Sequence, residues 1–196
     1  MAGAIPDETQ AVHHRDADEL AAGMDAVRSS PRDAGAVELL VVRPAVEVRE
    51  TPTEVTVDPA DGVIGDSWRE RGSRRMADGS ADPEAQVTVM NSRAALLVAT
   101  THERMPLAGD QVYVDLDLSV DNLPPGTVLD FGESALEVTA APHTGCAKFS
   151  ARFGVAALRL TAMPEGRSLR LRGINTRVLR GGVIRVGDVV RVVRPA

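Results

Sequence analysis

The chain has 196 residues and a formal net charge of −6, with 43% hydrophobic residues but only 3% aromatic ones. That supplies one domain-sized core, and the core must be built from Val, Leu, Ile and Ala. A single cysteine excludes an internal disulfide and any multi-thiolate zinc or iron–sulfur site within one chain.

Apolar runs such as the AALLVA of residues 94–99 fall far short of the roughly 20 residues of a membrane span. The N-terminus has no basic region followed by an apolar stretch. A soluble, cytoplasmic protein that does not associate with membranes is expected. The four histidines, His13, His14, His102 and His143, show no metal-ligand spacing. Charge is unevenly spread. From residue 143 onward Lys148 and ten arginines stand against Glu165 and Asp188, so this stretch carries +9 and the remainder −15. Either the basic third attracts an anion, or the two parts of the fold pair heavily with each other.

In chain order, residues 1–15 read as loosely held. The Asp16-Ala-Asp18 segment caps a short amphipathic helix over 18–28, with Leu20, Met24 and Val27 on one face, and Ser29-Ser30-Pro31 stops it. Residues 37–42 form a strand closed by Arg43-Pro44, and another strand falls near 53–57. The stretch 58–85 is polar and irregular, holds the only tryptophan, Trp68, and is either a binding loop or a surface excursion. Residues 86–90 are ordered, and Asn91-Ser92 can cap a helix over the AALLVAT that follows Arg93.

Residues 111–119 alternate, with Val112, Val114, Leu116 and Leu118 on one face. Tyr113, Asp115 and Asp117 then share the other face, which suits a solvated side better than a divalent-ion or acid–base site. A turn at 122–126 precedes paired strands at 127–131 and 136–140. Alternation returns at 169–172, and 183–193 ends the chain as a hairpin or bent strand around Gly187-Asp188. Many short strands, few helices and no βαβ rhythm indicate a barrel or sandwich.

The segment Pro142-His143-Thr144-Gly145-Cys146-Ala147-Lys148-Phe149 follows a strand and opens as a turn, so its thiol can face a cavity. The only lysine lies two positions from the only cysteine. In an extended chain the two share a face, and the ammonium would favour the thiolate. A lone cysteine is otherwise commonly a small buried hydrophobe. A Cys146–His143 nucleophile would need a third group to orient the histidine, and no residue in the sequence identifies one.

Three pieces, Gly62-Val-Ile-Gly-Asp66, LEVTAAPHTGCAKF (residues 136–149) and RGINTRVLRGGVIRVGDVVRV (residues 172–192), occur in the order and approximate spacing of MOSC domains. These are named for the C-terminal domain of molybdenum cofactor sulfurase and also occur as stand-alone bacterial proteins. The resemblance covers roughly residues 37–194. It implies a mainly β fold, a closed MOSC-like β-barrel with a few short helices, preceded by a leader over 1–36.

The resemblance also implies that Cys146 handles sulfur or ligates the metal of a molybdenum cofactor (molybdopterin), as in relatives that reduce N-hydroxylated compounds. Cys146 and Lys148 would then carry the chemistry. His143, Thr144, Gly145, Arg172, Asn175, Arg177 and Asp66 would contact the cofactor, the arginines suiting its phosphate. Two departures stand out. Gly65-Asp66-Ser67-Trp68 replaces the relatives' Gly-Asp-Arg, and VDLDLSVDNLPPG lies where many carry a G-E-N-L segment.

The chain has no room for a pyridoxal phosphate domain or a ferredoxin-like module, so a sulfur-donor or electron-donor protein is the expected partner. A non-catalytic barrel that binds an anionic small molecule or a protein, with a buried inert thiol, is the alternative. Nucleic acid is not expected as a partner, because the basic third lacks interleaved aromatics.

Overall fold

The computed structural model describes residues 13–195. The first twelve residues, part of the segment expected to be loosely held, lie outside the described residues. Asp16 caps α1 (Ala17–Ala22) by accepting from the backbone N–H groups of Asp18 and Glu19, and Glu19 reaches back to complete a capping box. Gly23 separates it from α2 (Met24–Arg28), so the expected single helix is two short ones. Leu20, Met24 and Val27 are buried, as their spacing requires.

Among the described residues, seven strands close into a barrel in the order β1 (Ala34–Leu40), β10 (Val189–Val193), β6 (Val128–Asp130), β7 (Ala135–Val138), β8 (Ile174–Arg180), β4 (Val87–Asn91) and β5 (Val112–Val114). Neighbours run antiparallel except β4 and β5, which are parallel. A second sheet joins β3 (Gly62–Val63), β2 (Glu54–Asp58) and β9 (Gly182–Arg185). Gly187-Asp188 is therefore a bend and not a hairpin turn. The chain leaves β9 in the small sheet and enters the barrel as β10, and the two do not pair.

Strand alternation sorts two cores. Val87, Val89, Val112 and Val114 join the barrel cluster with Leu116, Leu118 and Leu129. Met90 and Tyr113 point the other way, into a helical layer with Leu20, Met24, Phe149 and Phe153. That layer includes α4 (Ser92–Ala99), capped by the Asn91 side chain as expected. Among the described residues no helix is long and apolar enough to cross a membrane.

Four expectations are corrected by this packing. Tyr113 is fully buried, and its hydroxyl donates to the Met105 carbonyl at 3.0 Å. β5 stops at Val114, after which Asp115 is bound by Arg93 at 2.7 Å and Asp117 accepts from the Ser119 N–H at 2.9 Å, so the pair serves the local structure. Residues 169–172 are a turn after α6 (Pro164–Ser168), with Arg170 at φ 48°. Finally, Cys146 caps α5 (Ala147–Ala162), a helix broken at Gly154 that places Phe149, Phe153, Ala157 and Thr161 against the core.

The irregular stretch is tied down by α3 (Trp68–Arg71), by a 3₁₀ turn at Pro83–Ala85, and by burial of Trp68. Gly35 shows how tightly β1 enters the barrel, since a Cβ there would lie 1.9 Å from the Asp115 carbonyl oxygen. Backbone cannot rotate aside as a side chain does. Gly35→Ala is expected to cost about 1–3 kcal/mol, the range of overpacked cores. Urea unfolding measures it, and a loss below about 0.5 kcal/mol would contradict the packing described.

Candidate functional site

The loop from β7 to α5 forms one wall of a cleft of about 550 Å³. Its lining includes Thr139, Pro142, His143, Thr144 and Gly145 from that loop, Arg172 and Gly173 from the approach to β8, and Ile174 and Asn175 at its start. Leu158 and Thr161 of α5, together with Arg167 and Arg170, complete its sides. The cleft thus brings together five residues that the resemblance nominated: His143, Thr144, Gly145, Arg172 and Asn175. It adds Arg167 and Arg170, which sequence reasoning did not single out although they lie in the basic third.

Beneath the cleft sits Asp110, whose side chain has no exposed surface. Arg172 contacts its Oδ2 at 2.5 Å through Nη1, donates from Nη2 to the Ala108 carbonyl at 2.9 Å, and lies 5.2 Å from the Phe149 ring centroid. Burial pushes the Asp110 carboxyl up, and Arg172 opposes that shift. The other oxygen, Oδ1, lies 3.4 Å from His143 Nδ1, and neither atom completes a hydrogen bond. Burial, then the charges of Arg172, Arg43 and Arg75, hold His143 well below the ordinary histidine value. Gly173 makes this approach possible. At φ 97°, a Cβ there would meet the Val89 carbonyl at 2.5 Å and crowd both Asp110 and His143.

Asp66 sits in a neighbouring buried pair. Its carboxylate receives Arg43 Nε at 2.8 Å and Nη2 at 2.9 Å, with the Arg43 and Trp68 backbone N–H groups at 3.0 Å each. Arg43 Nη1 then donates to the Gly109 carbonyl at 2.6 Å, one residue before Asp110. Asp66 does not line the cleft. It fixes the start of the 58–85 stretch, whose Arg75 donates to the Pro142 carbonyl at 2.8 Å and so braces the cleft wall.

Cys146 follows that wall directly, and its side chain is exposed. Lys148 does not act as the extended reading supposed. It lies in the first turn of α5, and its Nζ is 2.7 Å from Glu47, whose carboxylate also pairs with Arg152. The Lys148 contact holds the Glu47 carboxyl below its usual value. Arg177 is on the outer surface, 2.8 Å from Glu137, away from the cleft. Asn175 lines the cleft but donates its amide to the Ala141 carbonyl at 3.1 Å.

The charge split resolves mainly into internal pairing. In the basic third, only Arg159, Arg167, Arg170 and Arg191 lack an ionic partner among the described residues. Arg170 instead donates to the Leu123 carbonyl at 2.6 Å. Arg167 makes no side-chain hydrogen bond either, and it borders the cleft. No group of three or more His, Cys, Asp and Glu side chains among the described residues is placed to hold a metal ion by itself.

The barrel agrees with comparison to known proteins. The MOSC domain model matches residues 64–191, and the chain belongs to that family. It is similar in fold to the YuaD protein from Bacillus subtilis, with a TM-score of 0.62 and 18% identity over 81% of this chain and 95% of that one. A similar likeness, TM-score 0.52 at 16% identity, relates it to YiiM from Escherichia coli over 82% of this chain and 71% of that one. No curated protein matches the chain.

The depressed His143 has a consequence for stability. Below about pH 6.5, the unperturbed histidine value, the unfolded chain takes up a proton that the folded site resists. Stability is therefore lost as pH falls from there toward the folded value, by at most about 1.4 kcal/mol per pH unit. His143→Gln should remove this component. Denaturant melts of both proteins between pH 7.5 and 5.0 should show the wild type falling more steeply. Parallel slopes would refute it.

Proposed function

We propose that this protein binds a molybdenum cofactor or carries sulfur, with Cys146 as the metal ligand or persulfide carrier. The observation that carries this reading is the exposure of the only cysteine at the end of the loop that walls the cleft. An inert thiol that merely packs would be buried. The residues present also suit a sulfur-rich metal centre on a phosphate-bearing pterin. A thiolate is a soft ligand, Arg167 has no partner among the described residues, and the buried Arg172 Nε is unsatisfied.

Within this reading, Arg167 holds the phosphate, with Arg170 and Arg172 lending charge from beside it. Thr144 and Gly145 shape the wall that leads to Cys146. Bound there, such a cofactor would supply a two-electron redox centre, and reduction of N-hydroxylated compounds is the activity that fits it. Electrons, or sulfur in the carrier version, come from a partner protein. Lys148, whose ammonium is paired with Glu47 at the surface, is not assigned a part in activating the thiol.

The decisive experiment is elemental mass spectrometry on wild type and Cys146→Ser, purified without oxygen from a molybdate-fed host. Near-stoichiometric molybdenum in wild type, lost at least tenfold in the variant, is the expected result for the metal-ligand version. If neither protein holds metal, that version fails, and persulfide on Cys146 after incubation with a sulfur donor is the remaining form of the proposal. Its absence as well would leave a non-catalytic barrel.

A further inference from the structure

His143 and Asp110 face each other through two buried polar atoms that have no other partner. Nδ1 of His143 and Oδ1 of Asp110 are 3.4 Å apart, and both are sealed from solvent. With a proton on Nδ1, a movement of a few tenths of an ångström closes a hydrogen bond that satisfies both atoms. Without that proton two lone pairs oppose each other and both buried groups stay unsatisfied. Burial raises the Asp110 carboxyl, but the contact of Arg172 with Oδ2 at 2.5 Å favours the carboxylate, the form in which Asp110 accepts from Nδ1.

The other ring nitrogen is differently placed. Nε2 belongs to a residue that lines the cleft, is not among the sealed atoms, and makes no hydrogen bond to any described residue. We propose that His143 is a proton acceptor of the cleft, held as the Nδ1–H tautomer by Asp110, with Nε2 left to bind an N–H or O–H group of the ligand. Asp110 is then a positioning residue, the third group that a functional histidine needs. The ligand class is an anion that also carries an N–H or O–H, its charge near Arg167 and its donor at Nε2. If the proton transfers, the ligand's N–H or O–H bond breaks and an Nε2–H bond forms. The imidazolium charge then lies against Asp110, and no oxidant or reductant is consumed.

Burial first, and then the charged groups around the ring, keep it unprotonated and so available as an acceptor. Arg172 before β8, Arg43 after β1 and Arg75 in the 58–85 stretch all disfavour an imidazolium, and Asp110 is already shared with Arg172. His143 therefore stays neutral at a pH where a solvated histidine is charged. This assignment goes beyond the reading of Cys146. It does not require the thiol to hold metal or sulfur, and its test uses neither.

The test is carbethoxylation by diethyl pyrocarbonate, which acylates an unprotonated, accessible imidazole nitrogen, resolved by peptide mass spectrometry with N-acetylhistidine as the solvated reference. Between pH 7.5 and 5.5 a solvated imidazole of pKa about 6.5 loses about tenfold of its neutral form. His143 should lose less than twofold. Long-range proton–nitrogen correlation spectra of histidine-labelled protein should show Nδ1 protonated and Nε2 bare at both pH values. In Asp110→Asn the amide can turn its NH₂ toward Nδ1, which reverses the tautomer and lowers Nε2 acylation at least fivefold. An Nε2–H tautomer in wild type, or a tenfold loss at His143 that tracks the reference, would overturn the assignment even if the variant fails to fold.

Discussion

The contact between Asp110 and Arg172 is the constraint on which the cleft depends. A carboxylate with no exposed surface loses its hydration, and only a partner in direct contact makes that tolerable. The guanidinium is fixed in turn by the Ala108 carbonyl and the Phe149 ring, which commits the first turn of α5 to its position. Because α5 begins at Cys146, the same contact helps decide where the thiol emerges. Removing one partner of such a pair leaves an uncompensated buried charge, typically at about 3–5 kcal/mol. Fold and site are here held by the same atoms.

Arginine suits this architecture in a way lysine would not. Arg43 spans the Asp66 carboxylate with two nitrogens and still has a third for Gly109; Arg172 divides itself between Asp110 and Ala108. A lysine ammonium is a compact charge and cannot bridge two separated acceptors along a fixed fork. The one lysine of the chain is on the surface, in a pair with Glu47. The net charges of the two halves, so uneven in sequence, are largely consumed by such pairings. What remains at the cleft is local: Arg167 without a partner, and arginines 170 and 172 with nitrogens fixed on carbonyls or Asp110.

The barrel was legible in the sequence because period-two alternation and Gly/Pro punctuation are local signals. They marked Val112 and Val114 as barrel-facing, and the helical spacing of Leu20, Met24 and Val27 was equally plain. The fate of Tyr113 was not, since a strand covered on both faces differs from a half-solvated one only through what packs on it. α5 was hidden for two reasons. Its cap is a cysteine whose side chain accepts no hydrogen bond from the helix, and Gly154 interrupts the pattern at φ 89°. Yet Phe149, Phe153, Ala157 and Thr161 recur every four residues, a signal that outlasts the break and could have been read. Missing that helix is what put Lys148 beside the thiol. Asp110 was out of reach altogether, because the 32 residues between it and His143 are spanned only by the closure of the barrel.

The departure at Gly65-Asp66-Ser67 also takes on a physical meaning. Ser67 follows Asp66 directly, and the cation for Asp66 arrives from Arg43, three residues past the end of β1. A buried carboxylate needs a guanidinium, but not one from its own loop. Arg43 meets that need and also spends its third nitrogen on Gly109, which joins the Asp66 pair to the chain just before Asp110. The two buried carboxylates are thereby coupled through one side chain and the peptide that follows Gly109. A change at Asp66 should therefore be felt at His143, because it would free the charge of Arg43, which after burial and Arg172 also disfavours the imidazolium.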